Sequence, residues 1–161
     1  MLKNKTQIIL LGALAVTILL HFQRVVLVLV DKEGLAANFG MTFEAILLRM
    51  FFFFSYSTLL LSFNIVFKDK WHQNFQSKKA FIFISNFSLF ILGIVITSFS
   101  MASFLSEAME SRQVFAIITT DYLIVHPILL LLARFTNLNI QQQQIILEKE
   151  QAKQSALEHQ L

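Results

Sequence analysis

Residues Gln113–Leu161 read QVFAIITTDYLIVHPILLLLARFTNLNIQQQQIILEKEQAKQSALEHQL. As far as Phe135 this stretch is long and apolar enough for a bilayer, which an α-helix crosses with roughly 20 mostly apolar residues. Residues 137–161 then turn rich in Gln, Glu, Lys, Ala and Leu, all good helix formers, and Arg134–Leu161 contains neither Gly nor Pro. No residue type marks a stop where the lipid would end. One helix from Gln113 to Leu161 would run about 70 Å at ~1.5 Å per residue. A rod of that kind carries a shift or rotation out of a membrane.

Three more apolar stretches precede it, near residues 6–30, 43–67 and 80–104. The chain of 161 residues is 56% hydrophobic and only 14% charged, with 18 Phe and one Pro, against about 25% charged in soluble domains. That apolar surface exceeds what a soluble domain of this size buries, so lipid must solvate much of it. The expected fold is an all-α membrane protein. Residues 1–136 form a four-helix transmembrane bundle (helices near 6–30, 43–67, 80–104 and 113–135). Residues 137–161 form a cytoplasmic linker helix, amphipathic or coiled-coil. Lys3 and Lys5 precede an apolar run, but Ala13-Leu14-Ala15 lies inside that run, where a leader-cleavage site would follow it. Cysteine is absent, which excludes disulfides and thiolate metal sites. The net charge of +3 is not a nucleic-acid signal, because the basic residues sit mainly beside the apolar segments.

Those basic residues set an expected orientation. Lys and Arg concentrate in short cytoplasmic loops. Lys3 and Lys5, then Lys68, Lys70, Lys78 and Lys79 in the second connector, then Arg134, Lys149 and Lys153 in the tail fall on one side of four crossings. The first and third connectors hold Lys32 and Arg112 among acids. Both termini are therefore expected in the cytoplasm, in a multi-pass protein of a bacterial inner membrane. Trp71, beside the charged second connector, fits an interfacial anchor.

Ionisable groups within spans are costly and call for partners. Counted from the helix ends, Arg24, Arg49 and Asp121 fall at comparable depth in the outer half, with Glu44 nearer the surface and Thr97, Ser98, Ser100 and Ser103 in the same layer. These groups are expected to form an outward polar cluster of Arg24, Glu44, Arg49 and Asp121. Two readings stay open: a pocket whose surplus guanidinium charge meets an anion, or an Arg–Asp bridge that pins helices while the second Arg reaches toward the headgroups. His126 and Pro127 form a candidate hinge, since Pro127 cannot donate to the Leu123 carbonyl; a static kink is the other reading. Gly93 would permit a close helix approach. His21 is expected to bond a neighbouring helix. No HxxxH or HxxE pattern suggests a metal site, and no phosphate loop, nucleophile elbow or soluble carboxylate pair suggests catalysis.

In the tail, Ile140, Leu147, Gln154 and Leu161 are spaced by seven and Leu157 lies three after Gln154, an imperfect seam interrupted by Gln143 and Glu150. A coiled coil and a solvated amphipathic helix are both compatible with it. The stretch IILEKEQAKQSALEHQL, Ile145–Leu161, preceded by four membrane helices, resembles the linker helix of LytS-like sensor histidine kinases of Bacteroidetes-type bacteria. In that family a segment of the form NQLKxQINPHFLFN follows and carries the phosphoacceptor His, then an ATP-binding kinase domain. This chain ends before such a segment, and His159 stands in Leu-Glu-His-Gln-Leu, so that role does not pass to it. The resemblance implies a homodimer, a response-regulator partner, and ATP as cosubstrate of a kinase domain lying outside this chain. The expected function is thus the membrane input module of a two-component sensor kinase, with no cofactor of its own. A small transporter or channel subunit, or a membrane anchor for a cytoplasmic partner, are the alternatives. Mostly Ser85, Asn86 and Asn64 in the inner half argue against a transport path.

Overall fold

A computed structural model of the chain describes residues 2–30, 42–67, 77–105 and 110–158. They form four helices: α1 (Leu2–Val30), α2 (Phe43–Ser62, prolonged by a π-helical turn Phe63–Phe67), α3 (Lys78–Phe104) and α4 (Ser111–Glu158). Trp71 and Leu161 lie outside the described residues.

The starts of α2, α3 and α4 are written in the local sequence. Thr42 caps α2, its Oγ1 accepting from the Ala45 N–H at 3.2 Å, and Ser77 caps α3 in the same way through Ala80 at 3.4 Å. These hydroxyls satisfy donors that have no partner within the helix. Before α4, the Glu110 carbonyl accepts from Gln113 and Val114, while the Gln113 side chain reaches back to the Glu110 N–H at 3.4 Å. That is half of a capping box. Pro127 sits inside α4, which continues through it to Glu158.

Burial follows the helical repeat. On α1 the buried residues are Ile9, Ala13, Thr17 and His21, four apart; on α4 they include Val114, Ile118, Tyr122, Val125, Leu129 and Ala133, three or four apart. One stripe per helix therefore turns inward. Phe53, Tyr56, Leu60 and Leu61 of α2 fill the centre against the α4 stripe, and α2 packs on α1, α3 and α4. The Phe51–Phe54 run divides accordingly: Phe53 is fully buried, whereas Phe51 is 63% exposed.

Large apolar side chains also cover the outside of the bundle. Leu19 and Phe99 are each 76% exposed and Phe83 71%, with large aliphatic and aromatic side chains exposed along all four helices. Soluble monomers do not carry contiguous apolar surface on this scale. Together with four helices long and apolar enough to cross a membrane, it marks a multi-pass membrane protein.

Past Ile140, which still packs against the core, every α4 side chain from Gln141 to Ser155 is exposed. Leu147 and Gln154 of the expected seam are among them.

Candidate functional site

The end of the bundle that holds the α1 C-terminus and the starts of α2 and α4 carries three charged side chains in mutual contact. Arg24 extends the inward stripe of α1, three residues past His21; Arg49 lies four before Phe53 on α2; Asp121 adjoins Tyr122 on α4. Arg24 Nη2 donates to Asp121 Oδ1 at 2.9 Å and Arg49 Nη2 donates to Asp121 Oδ2. One carboxylate thus ties three helices. The Asp121 side chain is 7% exposed, that of Arg49 12% and that of Arg24 20%. In so dry a place each charge depends on its partners, because removing water from an ion costs several kcal/mol, on the order of what pairing returns. Both arginines are engaged by Asp121, so neither is spent on the headgroups alone. Glu44, by contrast, is exposed in the first turn of α2 and takes no part among the described residues; five residues from Arg49, it lies on another face.

The cluster holds one carboxylate against two guanidinium groups. Arg24 Nη1, Arg49 Nε and His21 Nε2 are buried and meet no partner among the described residues. The arrangement is therefore a fixed positive centre with hydrogen-bonding capacity to spare. His21 hydrogen-bonds its own helix, Nδ1 donating to the Thr17 carbonyl at 2.9 Å, and its ring meets Phe53 of α2 edge-on at 5.3 Å. A side chain four residues on reaches that carbonyl with no tertiary partner.

Below the cluster lies a layer of phenols. The Tyr122 hydroxyl bonds Thr97 at 2.7 Å, and the Tyr56 hydroxyl bonds His126 Nδ1. The two tyrosine rings lie 4.6 Å apart, and Phe90 meets the His126 ring at 5.0 Å. His126 of the candidate hinge is thus tied to α2, immediately before the proline. Gly93 of α3 faces the two tyrosines, leaving the space that their rings occupy.

At the other end is a third layer that sequence reading passed over as ordinary polar residues. The Asn64 and Asn86 amides bond reciprocally at 2.7 and 3.3 Å, and Asn137 Nδ2 donates to the Asn64 carbonyl at 3.1 Å. Asn64 lies in the π-turn, a distortion that often marks a special contact. Signals for these layers existed: Tyr56, Asn64 and Tyr122 all fall on the inward stripes. Asn64→Ala should lower stability by about 1 kcal/mol, the scale of an interhelical polar contact in a membrane. Unfolding in mixed detergent–SDS micelles measures it, and an unchanged midpoint would show that the amide layer ties nothing.

No protein-family model, no curated protein and no solved structure matches the chain.

Proposed function

We propose that this chain is the membrane input module of a signalling protein, in which α4 passes a change at the Arg24–Asp121–Arg49 cluster to the helix beyond Ile140. The observation that carries this reading is that Asp121 and the exposed segment 141–155 belong to one uninterrupted helix. Asp121 is the only one of the three charged groups on that helix, so whatever alters its hold on Arg24 and Arg49 acts on α4 against α1 and α2. The exposed Ile145, Ile146 and Leu147 supply apolar surface for the same helix of a second copy. The Lys/Arg distribution supports cytoplasmic termini in a bacterial inner membrane. The resemblance of the tail supports a histidine kinase as output, with ATP and a response regulator as its cosubstrate and partner. A bias of a few kcal/mol between two packings of α4 suffices.

Insertions in α4 test this. With a histidine kinase catalytic region fused behind Leu161, one residue inserted between Leu138 and Gln141 rotates everything downstream by roughly 100°, whereas seven residues restore the phase. Autophosphorylation should change several-fold with one added residue and return with seven. Output indifferent to both would end the proposal. A reporter fused at the same place and active only outside the cytoplasm would end the orientation.

A further inference from the structure

Between α3 and α4 the outer surface is cut by a groove of about 540 Å³, lined among others by Lys79, Phe83, Phe87, Leu123, Pro127 and Leu130. We infer that this groove seats one acyl chain of an anionic phospholipid, whose phosphate lies on Lys79. The groove opens toward the surroundings of the bundle, since Phe83 is 71% and Leu123 59% exposed, and in a membrane those surroundings are lipid. Lys79 and Phe90 line it eleven residues apart on α3, so it follows the helix axes for about 16 Å. That is the direction an acyl chain takes.

Charge separates the two ends. Lys79 is exposed in the first turn of α3, at the end of the span where headgroups lie. Neither salt bridge of the described residues involves it. The N-terminus of α3 adds its partial positive charge there. Basic pockets between membrane helices on the Lys-rich side suit anionic headgroups. From Phe83 onward the walls are apolar but for Asn86 and His126, which the Asn64 and Tyr56 bonds already engage.

A helix of a second copy fits this groove poorly. Helices approach closely in membranes over Gly, Ala, Ser and Thr, and the groove is lined by none of these. Projecting phenylalanines form its α3 wall, a shape that admits a thin chain and holds a helix off.

Phe87→Trp in a Trp71→Phe background places one fluorophore in the groove, with Leu130→Trp as a second position should the first variant not purify monodisperse. The protein is reconstituted in phosphatidylcholine nanodiscs containing graded amounts of chain-brominated phosphatidylglycerol or chain-brominated phosphatidylcholine. The phosphatidylglycerol should quench at a mole fraction about five-fold lower, the preference expected of one lysine at an anionic surface. Lys79→Gln should abolish the preference and Lys79→Arg keep it. Equal quenching by the two lipids, or a preference that survives Lys79→Gln, overturns the inference. So does weak quenching by both together with disulfide crosslinking of Phe87→Cys between copies, which would put a second chain in the groove.

Discussion

Asp121→Asn is expected to be the most damaging single substitution of a charged residue in this chain, lowering stability by about 3 kcal/mol, the lower end of what losing one partner of a buried pair costs. The reason is charge count rather than the loss of one contact. Asp121 accepts from both arginines, so neutralising it leaves two facing guanidinium groups in a place that excludes water. Removing one arginine costs less, because the remaining Arg–Asp pair is neutral. Arg24→Gln should therefore cost least, as its side chain is the most exposed of the three at 20% and the Arg49–Asp121 pair it leaves is neutral. Arg49→Gln should fall between. The double variant Arg49→Gln/Asp121→Asn should be more stable than Asp121→Asn alone, since it removes the uncompensated repulsion. Reversible unfolding in detergent–SDS mixtures gives all four values. If Arg24→Gln proved as costly as Asp121→Asn, the cluster would owe its stability to shape and not to charge balance.

The depth of that cluster was legible in the sequence because membrane helices convert residue number into height. Counting from the ends of the apolar stretches puts Arg24, Arg49 and Asp121 in one layer. Height says nothing of azimuth: Glu44, already nearer the surface by that count, is turned to another face by its five-residue spacing from Arg49. The missing azimuth was also in the sequence: Ile118, Tyr122, Val125 and Leu129 repeat at helical spacing and mark the inward face of α4, and Asp121 lies beside it. The neutral layers were harder to see. Tyr56, Tyr122 and Asn64 carry no charge, so their presence in a span raises no alarm until their partners from other helices are known. Asn137 and Ile140 sit just past the apolar stretch yet still meet the bundle, because contact with α2 continues beyond the last strongly apolar turn of α4. The π-turn at Phe63–Phe67 leaves no mark in a segment without Gly or Pro.

Gly93→Leu is the second large expected effect, and Gly12→Ala is its control. A Cβ at Gly93 would stand 2.5 Å from Tyr122 Cε1 and 2.9 Å from Tyr56 Cδ2, well inside contact distance, so a ring must move. Neither ring is free to do so. The Tyr122 hydroxyl is held by Thr97 and the Tyr56 hydroxyl by His126, and Phe53 closes on Tyr122 with ring centroids 4.6 Å apart. The small residue anticipated as a site of close helix approach thus accommodates two side chains, and moving them breaks the ties of α2 and α3 to α4. Overpacking costs about 1–3 kcal/mol in a dense core, and loss of one or both phenol bonds adds to it. Gly93→Ala should be milder, because it adds only the Cβ and not the branched end of leucine, while recovering up to about 1 kcal/mol of helix propensity. At Gly12 the nearest atoms to an added Cβ are methyls, Leu132 Cδ2 at 3.0 Å and Leu61 Cδ1 at 3.5 Å. The Leu132 methyl is the end of a flexible side chain that yields by a small rotation, so Gly12→Ala should be neutral or slightly stabilising. Thermal unfolding in one detergent compares the three variants directly. Equal midpoints for Gly12→Ala and Gly93→Leu would mean that the tyrosine layer is loose, and that it does not join α3 to the helix proposed to carry the signal.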